Sequence, residues 1–166
     1  MTGALGSKQV SNLRFVRDEK EMEEQLGELL RQFCQVHGVQ GVIPAPIDFQ
    51  FQDGPHTRPL PLRDEMGVYL FFKEQDWLRI GQTSYSPRFT SQHYGTRRAG
   101  SSFAKDVWAN RNEFGFEGPE EQIDIWLFQN FGRANIRIAA KHGNAINRLL
   151  EAFLHLHLNP RFEGRR

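Results

Sequence analysis

The sequence predicts an α/β (α+β) fold: a small three-stranded antiparallel sheet (residues 66–73, 76–81 and 123–129) flanked by helices and preceded by one extra helix. Two observations carry that prediction. Strand formers cluster on either side of a short polar connector, with Val68, Tyr69, Leu70, Phe71 and Phe72 before Lys73-Glu74-Gln75-Asp76 and Trp77-Leu78-Arg79-Ile80 after it. A connector that short forces antiparallel pairing. Away from the hairpin the period changes to that of a helix, with Met22, Leu26, Leu29 and Phe33 at steps of four, three and four near one end and a segment over 146–158, apolar nearly all round, near the other.

Taken in order, residues 18–37 read as an amphipathic helix, with Asp18 and Glu21 spaced for a capping box and Gly38 as its stop. It packs on the core or covers part of a binding face. Five of the eight prolines fall in 41–61, which excludes a continuous helix or a central strand. That segment reads as an ordered connector over the domain, although Ile47, Phe49 and Phe51 alternate as in a short edge strand. Gly81 ends the second strand of the hairpin, and Ser86-Pro87 opens a helix over 87–94 with a hydroxyl at the N-cap and proline at the first helical position. A basic, glycine-flanked loop (95–100) leads to a helix capped by Ser101 or Ser102 and running to about Arg111. Ile123-Asp124-Ile125-Trp126-Leu127-Phe128 reads as the third strand; from about Ala134 the pattern is helical, with Asn144 capping the last helix. The organisation expected is a helix and proline-rich connector over 1–61, then one domain over 62–166.

The 166 residues, 39% of them hydrophobic, suffice for one well-formed core. No apolar run follows a basic start and no window reaches membrane-spanning length, so a soluble, cytoplasmic protein is expected. The single cysteine, Cys34, excludes an intrachain disulfide and a cysteine zinc cluster, and suits helix packing. The net charge is only +1, but it is uneven: six acids against one base in 18–28, six bases against Asp106 in 79–111, and seven bases against two acids in 133–166. Local clusters of this kind are what binding to a phosphate backbone requires, although a solvated mixed-charge surface also produces them.

The order Gly67-Val68-Tyr69, polar turn, Arg79-Ile80-Gly81, loop, a helix beginning Arg88-Phe89, then a lone Glu151 on an apolar helix resembles the GIY-YIG endonuclease superfamily. The resemblance runs from about Gly67 to Asn159 and implies a divalent-metal-dependent endonuclease that hydrolyses phosphodiester bonds in DNA. On that resemblance Tyr69 would activate the attacking water, Arg88 would stabilise charge on the scissile phosphate, and Glu151 would be the one protein ligand of a single Mg²⁺ or Mn²⁺ ion. Independently, an ionised Glu151 on an apolar helix is costly unless it meets a cation, whether a metal or an arginine such as Arg148 or Arg88.

Two positions depart from the family. Arg79 stands where a second tyrosine is expected, adding a permanent cation near the phosphate, with Tyr85 or Lys73 as substitutes for the lost hydroxyl. The histidine expected four residues after Arg88 is Gln92, with His93 one step further, which on a continuous helix lies well round from Arg88 and nearer the Phe89 face, where it is catalytic or structural. Arg97, Arg98 and Lys105 would grip the DNA backbone, and Asn159, eight residues after Glu151, matches a family asparagine or simply stops the helix before Pro160. His155 and His157 lie on different faces of a helix and do not make a metal pair. Cutting both strands at one site would favour a homodimer or two successive visits. The competing readings are a catalytically inactive module of the same fold, binding nucleic acid or protein, and, with less support, an RNA-binding module.

Overall fold

A computed structural model describes residues 19–38, 49–96 and 102–162. A four-stranded antiparallel sheet lies between two groups of helices. Its strands are β1 (Phe49–Gln52), β2 (Glu65–Lys73), β3 (Asp76–Thr83) and β4 (Gly132–Ala139), in the spatial order β1-β4-β2-β3. The helices are α1 (Glu19–His37), α2 (Ser86–Thr90), α3 (Phe103–Ala109), α4 (Arg111–Phe114), α5 (Ile123–Asn130) and α6 (Asn144–Leu158). None is long and apolar enough to cross a membrane among the described residues.

Strand alternation divides the core in two. Met66, Val68, Leu70 and Phe72 of β2, with Ala134, Ile136 and Ile138 of β4, face α1 and α6. Tyr69 and Phe71 point the other way, into a cluster with Phe89, Tyr94, Phe103, Leu127 and Phe131. Helix α1 therefore packs on the core: Leu26, Leu30 and Phe33 have no exposed surface, and Cys34 packs beside them. Gly38, at φ +61°, stops α1 as expected. The hairpin also stands where it was expected, with Glu74 of its two-residue turn held at φ +54°, but β3 runs past Gly81 to Thr83.

The third expected strand is corrected. Residues 123–129 are helical, and the strand is Gly132–Ala139, where the helical pattern was expected to begin. The burial shows why. Ile123 and Leu127, a helical i,i+4 pair, are buried while Ile125 between them is 59% exposed. A strand would have put all three on one face. In β4 the period of two is masked because the inward residues of its second face are polar: Arg133 and Asn135 are buried. The sheet has a fourth strand besides, since the Phe49/Phe51 alternation pairs with β4 as an edge strand.

Smaller corrections concern helix ends. The helix expected over 87–94 breaks at Ser91 (φ −139°, ψ −25°) and resumes as a single 3-10 turn, Gln92–Tyr94. The Ser86 hydroxyl does not cap α2 but accepts the amide of Leu62 at 2.9 Å. Ser102 does cap α3, accepting from the Lys105 amide at 3.2 Å; the helix stops at Ala109 and a separate turn, α4, follows. Asn144 makes no side-chain cap on α6, which starts after Gly143 at φ +79°. The Asp18 half of the expected capping box lies outside the described residues.

Candidate active site

Tyr69 lies at the centre of β2 opposite Gly81 of β3, and its ring is fully buried. The phenol crosses β3 above that glycine, because a Cβ at 81 would overlap the Tyr69 hydroxyl. Glycine is thus required by close approach, on a backbone that any residue could adopt. Helix α6 runs along the outer edge of β3: the Asn147 side-chain amide donates to Gln82 Oε1 at 2.9 Å, and His155 Nε2 meets the Ile80 carbonyl at 3.3 Å. Glu151 is four residues from each, so it stands on the same stripe of α6, abreast of Gly81.

Electrostatics link Arg88 and Glu151 to Tyr69. Burial pushes the Tyr69 phenol above its usual range; the Arg88 guanidinium, and then Arg79, pull it back down, while the Glu151 carboxylate adds to the upward push. Arg88 approaches the phenol closely but outside hydrogen-bond geometry, and the Tyr69 hydroxyl has no partner among the described residues. Helix α2 has only five residues, so its dipole adds little, and the positive charge at this point is the guanidinium itself.

His93 joins the group by a route that a continuous helix does not offer. The break at Ser91 swings its ring against Tyr69, with centroids 4.1 Å apart. The ring is buried, neither nitrogen has a partner among the described residues, and burial, then Arg133, Arg79 and Arg88, holds its pKa well below the usual histidine range. His93 is therefore neutral at physiological pH. Asn147 Oδ1 is likewise buried without a partner among the described residues. Buried polar atoms without a protein partner are uncommon in folded proteins, and those of Tyr69 and His93 lie side by side.

Arg79 lies on the Tyr69 face of the sheet, opposite Phe71, and is almost wholly buried in an ion pair with Asp106 of α3. Its charge is thereby largely neutralised, which weakens the role of a free cation beside a phosphate. Lys105 stands next to Asp106 at the start of α3. Arg97 and Arg98 fall outside the described residues. Asn159 is not part of the cluster: it takes the left-handed conformation (φ +46°) that ends α6 and lines a separate cleft with Gln25, Gln75 and Asp76. Of the substitutes for a second hydroxyl, Tyr85 is 59% exposed beyond the end of β3, and Lys73 lies over the rings of Phe114, Trp126 and Phe131.

Beneath the site lies a network that the sequence does not announce. Arg133 is fully buried and donates to Asn135 Oδ1 (2.8 Å), the Tyr94 hydroxyl (2.8 Å) and the Phe89 carbonyl (2.5 Å), with the rings of Tyr69, Phe71, Phe89 and Tyr94 5.0–5.8 Å from its guanidinium carbon. Its bond to the Phe89 carbonyl fixes the residue next to Arg88. A lone arginine on a strand gives no such signal, and only the aromatic residues scattered along the chain hint at a lining for it.

A divalent ion fits this donor set. Glu151 is a part-buried carboxylate with a buried amide oxygen, Asn147 Oδ1, one turn before it on α6. Mg²⁺ takes one or two carboxylates and completes its shell with water and substrate phosphate. No group of three or more acidic, histidine or cysteine side chains suited to a metal occurs among the described residues, so a closed cage of the structural-zinc kind is not what these residues offer. No family model, no curated protein and no solved structure matches the chain.

Proposed function

We propose that this chain is a divalent-metal-dependent DNA endonuclease of the GIY-YIG type, hydrolysing phosphodiester bonds in a restriction-like or repair-like manner. One observation carries the reading: a buried, unpartnered tyrosine hydroxyl on which an arginine from α2 and a glutamate from α6 act with opposite sign. In this reaction a water attacks phosphorus, the bond to the leaving oxygen breaks, and the water's proton must be taken up. Tyr69 takes that proton as the phenolate, the form that Arg88 favours and that burial and Glu151 oppose, and the leaving oxygen is protonated from solvent. Arg88 offers a planar fork of donors to the non-bridging oxygens, where charge accumulates in the transition state. Neutral His93 packs against the phenol ring and holds it over Gly81. Glu151 would hold the ion, Mg²⁺ or Mn²⁺, which when bound supplies Lewis-acid stabilisation of the phosphate.

The test uses supercoiled plasmid and a branched DNA with Mg²⁺ or Mn²⁺, comparing the wild type with Tyr69→Phe and Glu151→Ala. Loss of the general base lowers the rate by roughly 10²–10⁴-fold, and loss of the carboxylate abolishes the metal response. Cutting that survives both substitutions rejects the assignment. A second reading, a non-cutting module of the same fold that binds nucleic acid, draws on the Arg79–Asp106 pair, which occupies the place of the second tyrosine. Binding without cutting in the wild type would select it. Whether the working unit is a dimer follows from the dependence of cutting on protein concentration.

A further inference from the structure

Sharing Arg88 with the cluster is a pocket of about 190 Å³ lined by Gln82, Thr83, Ser84, Arg88, Asn144 and Arg148. The space is large against the roughly 10–15 Å³ that accommodates one water. Its chemistry is one-sided: two guanidinium groups face it and no acid among the described residues lines it. Its walls are also fixed. The Asn147 amide occupies Gln82 Oε1, which leaves the Gln82 amide hydrogens free to donate. The loop is pinned by Thr83 Oγ1, which accepts the Tyr85 amide at 3.0 Å, and Ser84 adds an exposed hydroxyl. Helix α6 begins here with no side-chain cap and no acid in its first turn.

Resting on the phosphodiester reading of the neighbouring cluster, we infer that this pocket seats a backbone phosphate of the DNA strand next to the one that is cut, with Arg148 as its anchor. Arg148 is three residues from Glu151 on α6, so the two side chains are neighbours on one helix face, about 5–6 Å apart at Cβ. Arg88 lines the pocket and also acts on the Tyr69 phenol. A strand laid along this edge would place one phosphate over Gly81 and the next between Arg88 and Arg148. Arg148 is a positioning residue: it sets the register of the strand and takes no part in bond breaking.

The experiment measures binding of labelled duplex and single-stranded oligonucleotides by fluorescence anisotropy, in EDTA and in a Glu151→Gln background, between 50 and 200 mM salt. Arg148→Gln is expected to raise Kd about tenfold and to make the log–log salt slope for duplex less negative by about 0.9. Arg148→Lys should keep most of the slope, and Arg31→Gln, on the exposed face of α1, should change nothing. Inorganic phosphate separates a general anion hole from a strand site: competition at millimolar concentration that Arg148→Gln removes supports a phosphate-sized seat. An unchanged Kd and slope in Arg148→Gln, with its thermal melt intact, overturns the inference. Cutting by the wild type is scored separately. If the wild type does not cut but Arg148→Gln still loses the slope, the hydrolase reading falls and the strand site stands.

Discussion

Acid should weaken this protein through His56, and the size of the effect follows from a directional chain of hydrogen bonds. Arg133 donates to the Tyr94 hydroxyl, which must then donate its own hydrogen to His56 Nε2 at 2.8 Å, and His56 Nδ1 in turn donates to the Phe131 carbonyl. Each group is used once, which fixes the neutral Nδ1–H tautomer. Protonating Nε2 would place two donors face to face and a second cation beside Arg133. Burial, opposed in part by the Phe131 carbonyl, accordingly lowers the His56 pKa from 6.5 to about 4. Between those values the unfolded chain binds a proton that the folded protein refuses, so stability is complete above pH 6.5 and is lost as pH falls towards 4. At 1.36 kcal/mol per unit the loss is about 3 kcal/mol. Buried neutral His93 acts in the same direction. The assay is urea denaturation from pH 8 to 4, wild type against His56→Gln, with the difference between the two curves as the readout. A ring-proton titration of folded His56 near 6.5, or identical pH slopes in the two proteins, would refute the reasoning.

Other perturbations follow from the same contacts. Gly81→Ala forces a methyl into the space of the Tyr69 hydroxyl; overpacking of this kind costs about 1–3 kcal/mol, so a variant of wild-type stability would contradict the placement of the ring, and under the proposed endonuclease activity displacing the phenol should slow cutting about 10²-fold. Asp106→Ala strands Arg79, whose side chain is 3% exposed, but Asp106 is itself 28% exposed; the loss should be about 2–3 kcal/mol, below the roughly 3–5 of a fully buried pair, and is read from the urea midpoint. If Tyr69 is the base, its raised pKa requires log kcat/KM to climb with near-unit slope from pH 6 to 9, and a flat profile would remove it from that role.

What could be read from the sequence was what is local. The β2–β3 hairpin, α1 and α6 each declare themselves through a few adjacent residues, whereas Tyr69, Arg88 and Glu151 stand out through the order and spacing that resemble the GIY-YIG pattern. What could not be read depended on partners distant along the chain. Residues Ile123 to Phe128 are apolar enough for a strand, and only the exposure of Ile125 separates the alternatives. Arg133 and Asn135 hide a central strand, because polar residues are buried there only with the help of Tyr94, His56 and four aromatic faces. The placement of His93 turned on a break at Ser91 that no single residue type specifies, and Arg148 stood out only once Arg88 was seen across a pocket from it.

The position of β4 between β1 and β2 has a kinetic consequence. The hairpin closes within its own short span, but among the described residues β1 pairs with β4 alone, and β4 follows α2 to α5 along the chain. Closing that long excursion is the slow entropic step. Its completion docks a whole flank of the molecule at once, so amide exchange in β1 should track exchange in β4 and never outlast it.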